Sequence, residues 1–409
     1  MRYSQAIFIC ILGTSFYCFD YFAQVTPSVM SQQLMQHFHL NAAGLGLLSS
    51  SFFLPYCCMQ LPAGLLLQRF GTRTTLTVAA LISAIALILF ANTDHWISAL
   101  IARALLGGCA AFSFVSALFL IAQWFPTRLF APLTGAIQFS ATAGSIIGLA
   151  PIAKALHHYH WQFIILTMGL FALLLSALFA LAIRDRTTEP VHQQSLALKS
   201  TIQCIRHQPR LMIIFAVGFI SWIPISSMGA LWGVPYLVST LQISTAQAAH
   251  DISFLWIGLA IGSFVVGWLS ECIQHRAYMS IICFLLALSS SLIIIFFPHM
   301  NQFSLQLALF ALGFSAGNQA LSFAYLKDQV PSTLFCGLSG INNMSAILGG
   351  ALAQISIGYS LSWQQHVTQI HTAYNWHQYQ NALIIIPIAA ACGLALCRPL
   401  FTLTRPTVL

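Results

Sequence analysis

Read for apolar and polar positions, the chain alternates long hydrophobic runs with brief polar breaks. A membrane-spanning helix needs about 20 mainly apolar residues. Twelve runs meet that length: approximately 6–30, 42–67, 73–92, 96–123, 130–156, 161–183, 210–239, 246–270, 277–298, 302–326, 333–359 and 379–400. The long polar stretch from Arg184 to Arg210 separates the sixth run from the seventh and contains a short amphipathic segment from Ser195 to Arg206. The pattern predicts a six-helix N-terminal bundle over 1–184, a linker over 185–209 and a six-helix C-terminal bundle over 210–409. The expected fold class is an all-α membrane protein of twelve transmembrane helices in two related bundles.

Composition agrees with this pattern. The 409 residues are 58% hydrophobic and only 5% charged, with a mean hydropathy of +0.84, too few charges to cover a soluble surface of this size. Arg2 is the only charge before the first run, and that run leads into polar residues without a small-residue cleavage site, so no cleavable leader is expected. Eleven cysteines, Cys57, Cys58, Cys109, Cys283 and Cys392 among them, fall mostly inside apolar runs, as packed free thiols do.

Charge placement adds an orientation. Arg2, Arg69, Arg73, Arg128, Arg184, Arg186, Lys199, Arg206, Arg210, Arg276, Lys327, Arg398 and Arg405 all fall on one side when twelve helices alternate. Only Lys154 lies at an opposite end, and Arg103 lies within a helix. Cytoplasmic loops retain Lys and Arg, so both termini and the linker are expected in the cytoplasm. The net charge of +8 then reflects topology and does not call for a nucleic-acid partner. The halves also look duplicated. Gly64 and Gly267 are 203 positions apart, as are Arg73 and Arg276, while Gly135 and Gly337, and Gly148 and Gly350, are 202 apart. Two such repeats with a binding site near the midplane are the plan of many secondary transporters.

Candidate chemistry centres on the first run. Asp20 is the acid well inside it, and an ionisable group in hydrocarbon marks a functional site by default. Tyr17, Tyr21 and Gln24 lie three or four residues from Asp20 or from one another and share a helical face. Pro27 loosens the outer end of this helix. Arg103 is the second intramembrane charge. Asp20 is ten residues from the outer end of its helix, about 15 Å, and Arg103 is seven residues into its own, about 10 Å. The depths match, so an Asp20–Arg103 pair is expected.

Motifs then extend over the chain. Gly64-Leu-Leu-Leu-Gln68-Arg69-Phe-Gly71-Thr-Arg73 resembles the loop between helices two and three of the major facilitator superfamily, Gly-x-x-x-Asp-Arg-x-Gly-x-Arg. Arg103-x-x-x-Gly107, Trp124-Phe-Pro-Thr-Arg128 and Gly144-x-x-x-Gly148 with a displaced Pro151 resemble further elements of that family. The resemblance implies a cytoplasmic gate at Gly64, Arg69, Arg73, Glu271 and Arg276. Gln68 replaces the family's acid, so its ion pair is not carried over; Glu271 keeps an acid in the second half. Gly64 is expected to allow close helix packing.

The resemblance also implies a cavity lined by helices 1 and 4, with Asp20 as proton-coupling residue and Arg103 as anchor for a substrate carboxylate, similar to the proton-coupled sugar porters. A structural salt bridge is the alternative. Tyr17, Tyr21, Gln24, Tyr56, Gln138, Trp222, Asn318, Asn342 and Asn343 are the other substrate-binding candidates; hydrogen bonds between helices would equally explain buried amides. Phosphate esters usually need more than one cation, and the second half has none in mid-helix. Tyr17-Cys-Phe-Asp-Tyr-Phe, Val25-Thr-Pro-Ser-Val-Met and Trp232-Gly-Val-Pro-Tyr-Leu resemble the phagosomal nutrient transporters of intracellular bacteria, which import amino acids or nucleosides.

His157, His158, His160, His366, His371 and His377 lack a carboxylate or cysteine at ligand spacing, so no metal or other cofactor is expected. His250-Asp251 could relay a proton. No nucleophile–base set or phosphate loop suggests an enzyme. The expected function is proton-coupled uptake of a small polar nutrient such as an amino acid, by a monomer in the bacterial inner membrane. The partners are the substrate, protons and the lipid bilayer. An exporter, or a non-transporting receptor or sensor, is the alternative.

Overall fold

The computed structural model describes residues 2–126, 129–185, 203–273, 275–368 and 374–403. Arg128, Arg186, Lys199, His371, Arg405 and most of the Ser195–Arg206 segment lie outside them; residues 203–207 are helical. Among the described residues, twelve helices are long and apolar enough to cross a membrane. In the first half they are α1 (Arg2–Val29), α2 (42–70), α3 (72–92), α4 (Trp96–Trp124), α5 (Phe130–Ala155) and α6 (Trp161–Ala182). In the second they are α7 (Leu211–Leu241), α8 (Thr245–Ile273), α9 (Arg276–Phe296), α10 (Gln302–Gln329), α11 (Ser332–Thr368) and α12 (Trp376–Leu400). Contacts divide the chain into one unit of residues 1–40 and 48–192 and a second of 41–47 and 193–409.

Within the first unit, glycines let backbones touch. An added Cβ on Gly107 of α4 would overlap the Phe52 carbonyl of α2, and one on Gly148 of α5 would meet the Phe22 carbonyl of α1 at 2.7 Å. The second unit repeats the device. Gly313 of α10 abuts the Leu255 carbonyl of α8, and Gly350 of α11 abuts Ser226 of α7. Phe52 and Leu255 are 203 positions apart, so the internal duplication extends to individual contacts. Gly64 corrects one expectation. A Cβ on Gly64, or on Gly267, meets nothing within 4 Å, so neither serves close packing.

The α2–α3 break occurs at Gly71, whose φ of +79° is a left-handed conformation open to glycine. This turn exposes the first N–H groups of α3, and they find an acid elsewhere in the unit. Asp185, just beyond α6, accepts from Thr72 N–H at 2.8 Å and Arg73 N–H at 3.2 Å. A carboxylate at a helix N-terminus satisfies orphan donors and complements the dipole. The acid missing at Gln68 has no ionic substitute on Arg69 or Arg73 among the described residues. Arg69 lies 5.3 Å over the Phe70 ring, and Arg73 is exposed.

Two spans are less regular than their apolar patterns imply. In α7, Pro224 has no N–H to continue the ladder, and residues Ile225–Trp232 form π-helix that closes with Gly233 N–H on the Met228 carbonyl. In α10, Ala316–Gly317 interrupt the helix between Gln302–Ser315 and Asn318–Gln329. Bonds from Gly317 N–H to Phe314 O (3.0 Å) and from Gln319 N–H to Ala316 O (3.0 Å) tighten the joint.

Two outcomes are expected. Gly107→Val and Gly313→Val should each cost more than about 3 kcal/mol by overpacking and abolish the monodisperse peak on size exclusion. Gly64→Val and Gly267→Val should elute as wild type. Separately, Asp185→Ala should cost about 1 kcal/mol, as lost helix caps do, and lower the thermal midpoint by roughly 2–4 °C.

Candidate functional site

The α1 helix brings Asp20 into the interior of the first unit, 3% exposed. Neither carboxyl oxygen has a hydrogen-bond partner. The Ser113 hydroxyl of α4 lies beside the carboxyl but donates to the Ala110 carbonyl at 2.7 Å. Serine in a helix commonly bonds back to its own preceding turn, and here this leaves Asp20 without a donor. An ionised carboxylate in such a setting costs several kcal/mol.

Arg103 of α4 is equally buried, at 3% exposure, but it does not meet Asp20. Among the described residues, ion pairs within 4.0 Å join His37 to Asp94, His250 to Asp251, and Arg276 to Glu271 and to Asp328. The expected Asp20–Arg103 pair is absent. Arg103 Nη1 donates instead to the Ala23 carbonyl at 3.1 Å, and its Nε and Nη2 have no partner. Its guanidinium stands 5.0 Å from the centroid of Phe52, a cation–π contact worth about 2 kcal/mol when desolvated. Ala23 is three residues beyond Asp20, about 4.5 Å along the helix. The two charges are therefore staggered by almost one turn. Counting residues from predicted helix ends carries about that error, which is why depth-matching suggested a pair.

A cavity of about 10 Å³ adjoins Arg103, lined by residues that include Ala23, Thr26, Met30, Phe90 and Met168. That space holds roughly one water. In this conformation Arg103 has no room for an organic carboxylate.

The aromatic candidates do come together. Tyr17 Oη donates to Gln138 Oε1 at 3.2 Å and lies 3.4 Å from Tyr21 Oη. The two tyrosine rings meet edge to face at 5.1 Å. Tyr56 stacks with Phe52 at 6.3 Å. Tyr21, Tyr56 and Gln138 are half-buried, whereas Asp20 is buried. Gln24 is buried.

In the second unit, Asn318 and Asn342 are fully buried and bonded to serines. Asn318 Nδ2 donates to Ser221 Oγ at 3.1 Å, and Asn342 Nδ2 donates to Ser322 Oγ at 2.7 Å. Trp222 is buried with its Nε1 unpartnered, whereas Asn343 is half-buried. Asp251 is held by amides more than by His250. Gln306 Nε2 is 2.8 Å from Oδ1, Gln247 Nε2 3.2 Å and Gln302 Nε2 3.3 Å, against 3.5 Å for His250 Nδ1.

At the expected cytoplasmic end, Arg276 bonds chiefly to Asp328, with Nε to Oδ2 at 2.8 Å, while Glu271 stands off at 3.9 Å. The gate implied by the family resemblance includes Arg276 and Glu271 but not Asp328, which the structure adds. Its position beside Lys327 at the end of α10 was the available signal. Ser113, Phe52 and Asp185 were also passed over, since a serine, an aromatic and a linker acid are unremarkable until the helices are packed.

Comparison with known proteins places this geometry. The Major Facilitator Superfamily model matches residues 10–353. The uncharacterized transporter YybO of Bacillus subtilis is 30% identical over 160 residues, covering 39% of this chain and 37% of that protein. The probable galactarate/D-glucarate transporter GudP of Escherichia coli is 23% identical over 388 residues, covering 83% of this chain and 84% of that one. Among solved structures, a bacterial homolog of the human lysosomal transporter Spinster superposes with a TM-score of 0.81 at 15% identity, covering 98% of this chain and 97% of the other. That likeness concerns the fold alone. Twelve apolar helices, duplicated glycine contacts and a family match over most of the length agree, and the chain belongs to the Major Facilitator Superfamily, a multi-pass membrane transporter.

Proposed function

We propose that this transporter couples inward proton movement to uptake of a small polar carboxylate across the bacterial inner membrane, with both termini in the cytoplasm. The observation that carries the reading is Asp20, a buried carboxyl with no donor on either oxygen. A proton on Asp20 removes the cost of a charge there. Loss of that proton becomes favourable when the residue is exposed to water or meets a cation, and Arg103 is less than a turn away with two unpartnered nitrogens, Nε and Nη2. Protonation thus ties Asp20 to the conformation of the first unit.

The substrate follows from the neighbouring groups. Tyr17, Tyr21, Tyr56 and Gln138 offer hydroxyls and an amide to a hydroxylated or amino-bearing molecule, and Arg103 becomes the carboxylate anchor in a conformation that opens its cavity. A sugar acid fits this set, and galactarate and D-glucarate are the substrates in the name of a relative matched over most of its length. An amino acid carries the same carboxylate with an ammonium group, and the helix 1 motif's likeness to phagosomal nutrient transporters supports it as the second substrate class. The transporting unit in this reading is a monomer.

The test is uptake into proteoliposomes of labelled galactarate, D-glucarate and an amino-acid and nucleoside panel, with and without an inward proton gradient. Wild type should concentrate one of these with the gradient. In Asp20→Asn, gradient-driven uptake should fall about tenfold or more while counterflow exchange persists. Equal gradient-driven uptake by both proteins would remove Asp20 from coupling. Substrate-dependent efflux in place of uptake would establish an exporter instead. A further variant addresses the anchor: Arg103→Gln should weaken exchange of carboxylates by about tenfold or more, consistent with a lost charge-assisted hydrogen bond of roughly 1.5–3 kcal/mol. An unchanged half-saturating concentration in that variant would assign Arg103 a purely structural part.

A further inference from the structure

The α2 helix is divided between the two compact units. Its start, within Asn41–Leu47, belongs to the second unit, and from Leu48 onward it belongs to the first. One helix is therefore anchored in both, and each anchor is specific.

The anchor in the second unit is the helix start. A helix leaves its first N–H groups without intrahelical partners. In α2, Asn41 Oδ1 accepts from Gly44 N–H at 2.9 Å, and the Asn41 carbonyl accepts from Leu45 N–H at 3.0 Å. The two donors before them are met from far along the chain. Ala43 N–H donates to Ser362 Oγ of α11 at 2.8 Å, and Ala42 N–H to Tyr374 Oη, just before α12, at 3.1 Å. Glycines make the contact close. A Cβ on Gly46 would lie 2.9 Å from the Gln354 carbonyl of α11, and one on Gly358 of α11 would lie 2.5 Å from the Ala42 carbonyl. The Trp232 indole lies against both positions, at 3.5 Å and 3.2 Å, and its Nε1 donates to the Gln354 carbonyl at 3.1 Å.

The helix is jointed just beyond this anchor. It is regular over Ala42–Ser50 and again from Phe53, with a turn at Ser51 and Phe52. Pro55 is the cause, since it offers no N–H to the Ser51 carbonyl four residues back and its ring crowds that carbonyl. Phe52 N–H bonds to the Ser49 carbonyl at 3.3 Å, a tighter three-residue pattern, and Ser51 Oγ bonds back to the Leu48 carbonyl at 2.8 Å. Such back-bonding bends helices. At the joint itself the first unit takes hold: the Phe52 carbonyl abuts Gly107 of α4, and the Phe52 ring faces the Arg103 guanidinium.

Alternating access moves one half of a transporter against the other. A helix anchored on both sides of a proline joint must then bend at the joint or release one anchor. Release is cheap at the start of α2, because water can take over the two N–H groups that the hydroxyls give up. We propose that residues 42–50 are a gate segment closing one end of the transport path, hinged at Ser51–Phe52 and latched by the Ser362 and Tyr374 hydroxyls. In the orientation proposed above, that end faces outward, and the inference rests on that reading for the side alone.

The test is thiol accessibility of the full chain in right-side-out membrane vesicles, which needs neither a substrate nor a proton gradient. Ser49 lies in the segment and is fully buried. Ser49→Cys is exposed to a membrane-impermeant maleimide, and its peptide is told from those of the native cysteines by mass. Adding Ser362→Ala and Tyr374→Phe should speed labelling about tenfold, as two lost hydrogen bonds imply. Pro55→Ala, which returns a donor to the Ser51 carbonyl, should slow it about tenfold. An oxidised Ala43→Cys/Ser362→Cys pair should stop it, and reduction should restore it. Faster labelling without the hydroxyls that Pro55→Ala does not slow would mean fraying of the helix start, and would overturn the hinge. Labelling indifferent to the hydroxyls or to the cross-link would overturn the gate and leave the transport reading standing. The same order of variants seen only in inverted vesicles would keep the gate and reverse the orientation.

Discussion

The constraint on which everything else depends is the absence of water in the hydrocarbon layer. Inside it, every backbone N–H and carbonyl must be satisfied by the chain, so the spans are helices. Side-chain polarity is then the only chemistry left to place. Helices cannot gain from burying apolar surface against each other when lipid is equally apolar. They gain by close contact, and glycines at Gly107, Gly148, Gly313 and Gly350 make it by bringing one backbone against the next helix. With the bundles held this way, a few polar groups can be kept in places where none would settle unaided. Asp20 without a donor, and Arg103 with one carbonyl and a phenyl face, are such places.

The two halves use their shared plan differently. The first buries two formal charges, Asp20 and Arg103, whereas the second buries Asp251 near the start of α8 and otherwise relies on amides and serine hydroxyls. At the expected cytoplasmic end the difference reverses. Arg276 of the second half has a carboxylate partner in Asp328, but among the described residues Arg73 of the first half meets an acid through its backbone N–H, bonded to Asp185. An acid that caps a helix start and an acid that neutralises a guanidinium both anchor the loop, but the first acts through the backbone and is indifferent to the side chain of residue 73.

How much was legible in the sequence depends on the range of the interaction. The twelve spans could be read because hydropathy over 20 residues is a local sum, and Asp20 stood out because one acid in such a run is conspicuous. Pro224 was visible too, although its outcome, a π-helical stretch, depends on what α7 packs against. The Asp20–Arg103 pair was misplaced because a stagger of less than one turn is smaller than the error in locating a helix end. The Asn318 and Asn342 side chains were noticed as polar, but not their partners. These are the serines at 221 and 322, which only a folded bundle brings within reach. Gly64 was read from a motif as a packing residue, and a motif records what a family does with a position in some conformation, not what surrounds it in this one.

The π-helical stretch of α7 has a consequence for how this helix can change over evolutionary time. Each wider turn accommodates a residue more than an α-turn spanning the same bond pattern, so side chains after Trp232 are rotated about the axis relative to the faces set before Pro224. The half bearing Gly218, Ser221 and Trp222 and the half bearing Trp232 and Tyr236 are thereby phased separately. A gain or loss of one residue between 225 and 232 can be absorbed as a change in local winding. The helix can thus realign one end while its other end keeps its contacts, a freedom that a regular α-helix, in which a single insertion turns everything beyond it by about 100°, does not have.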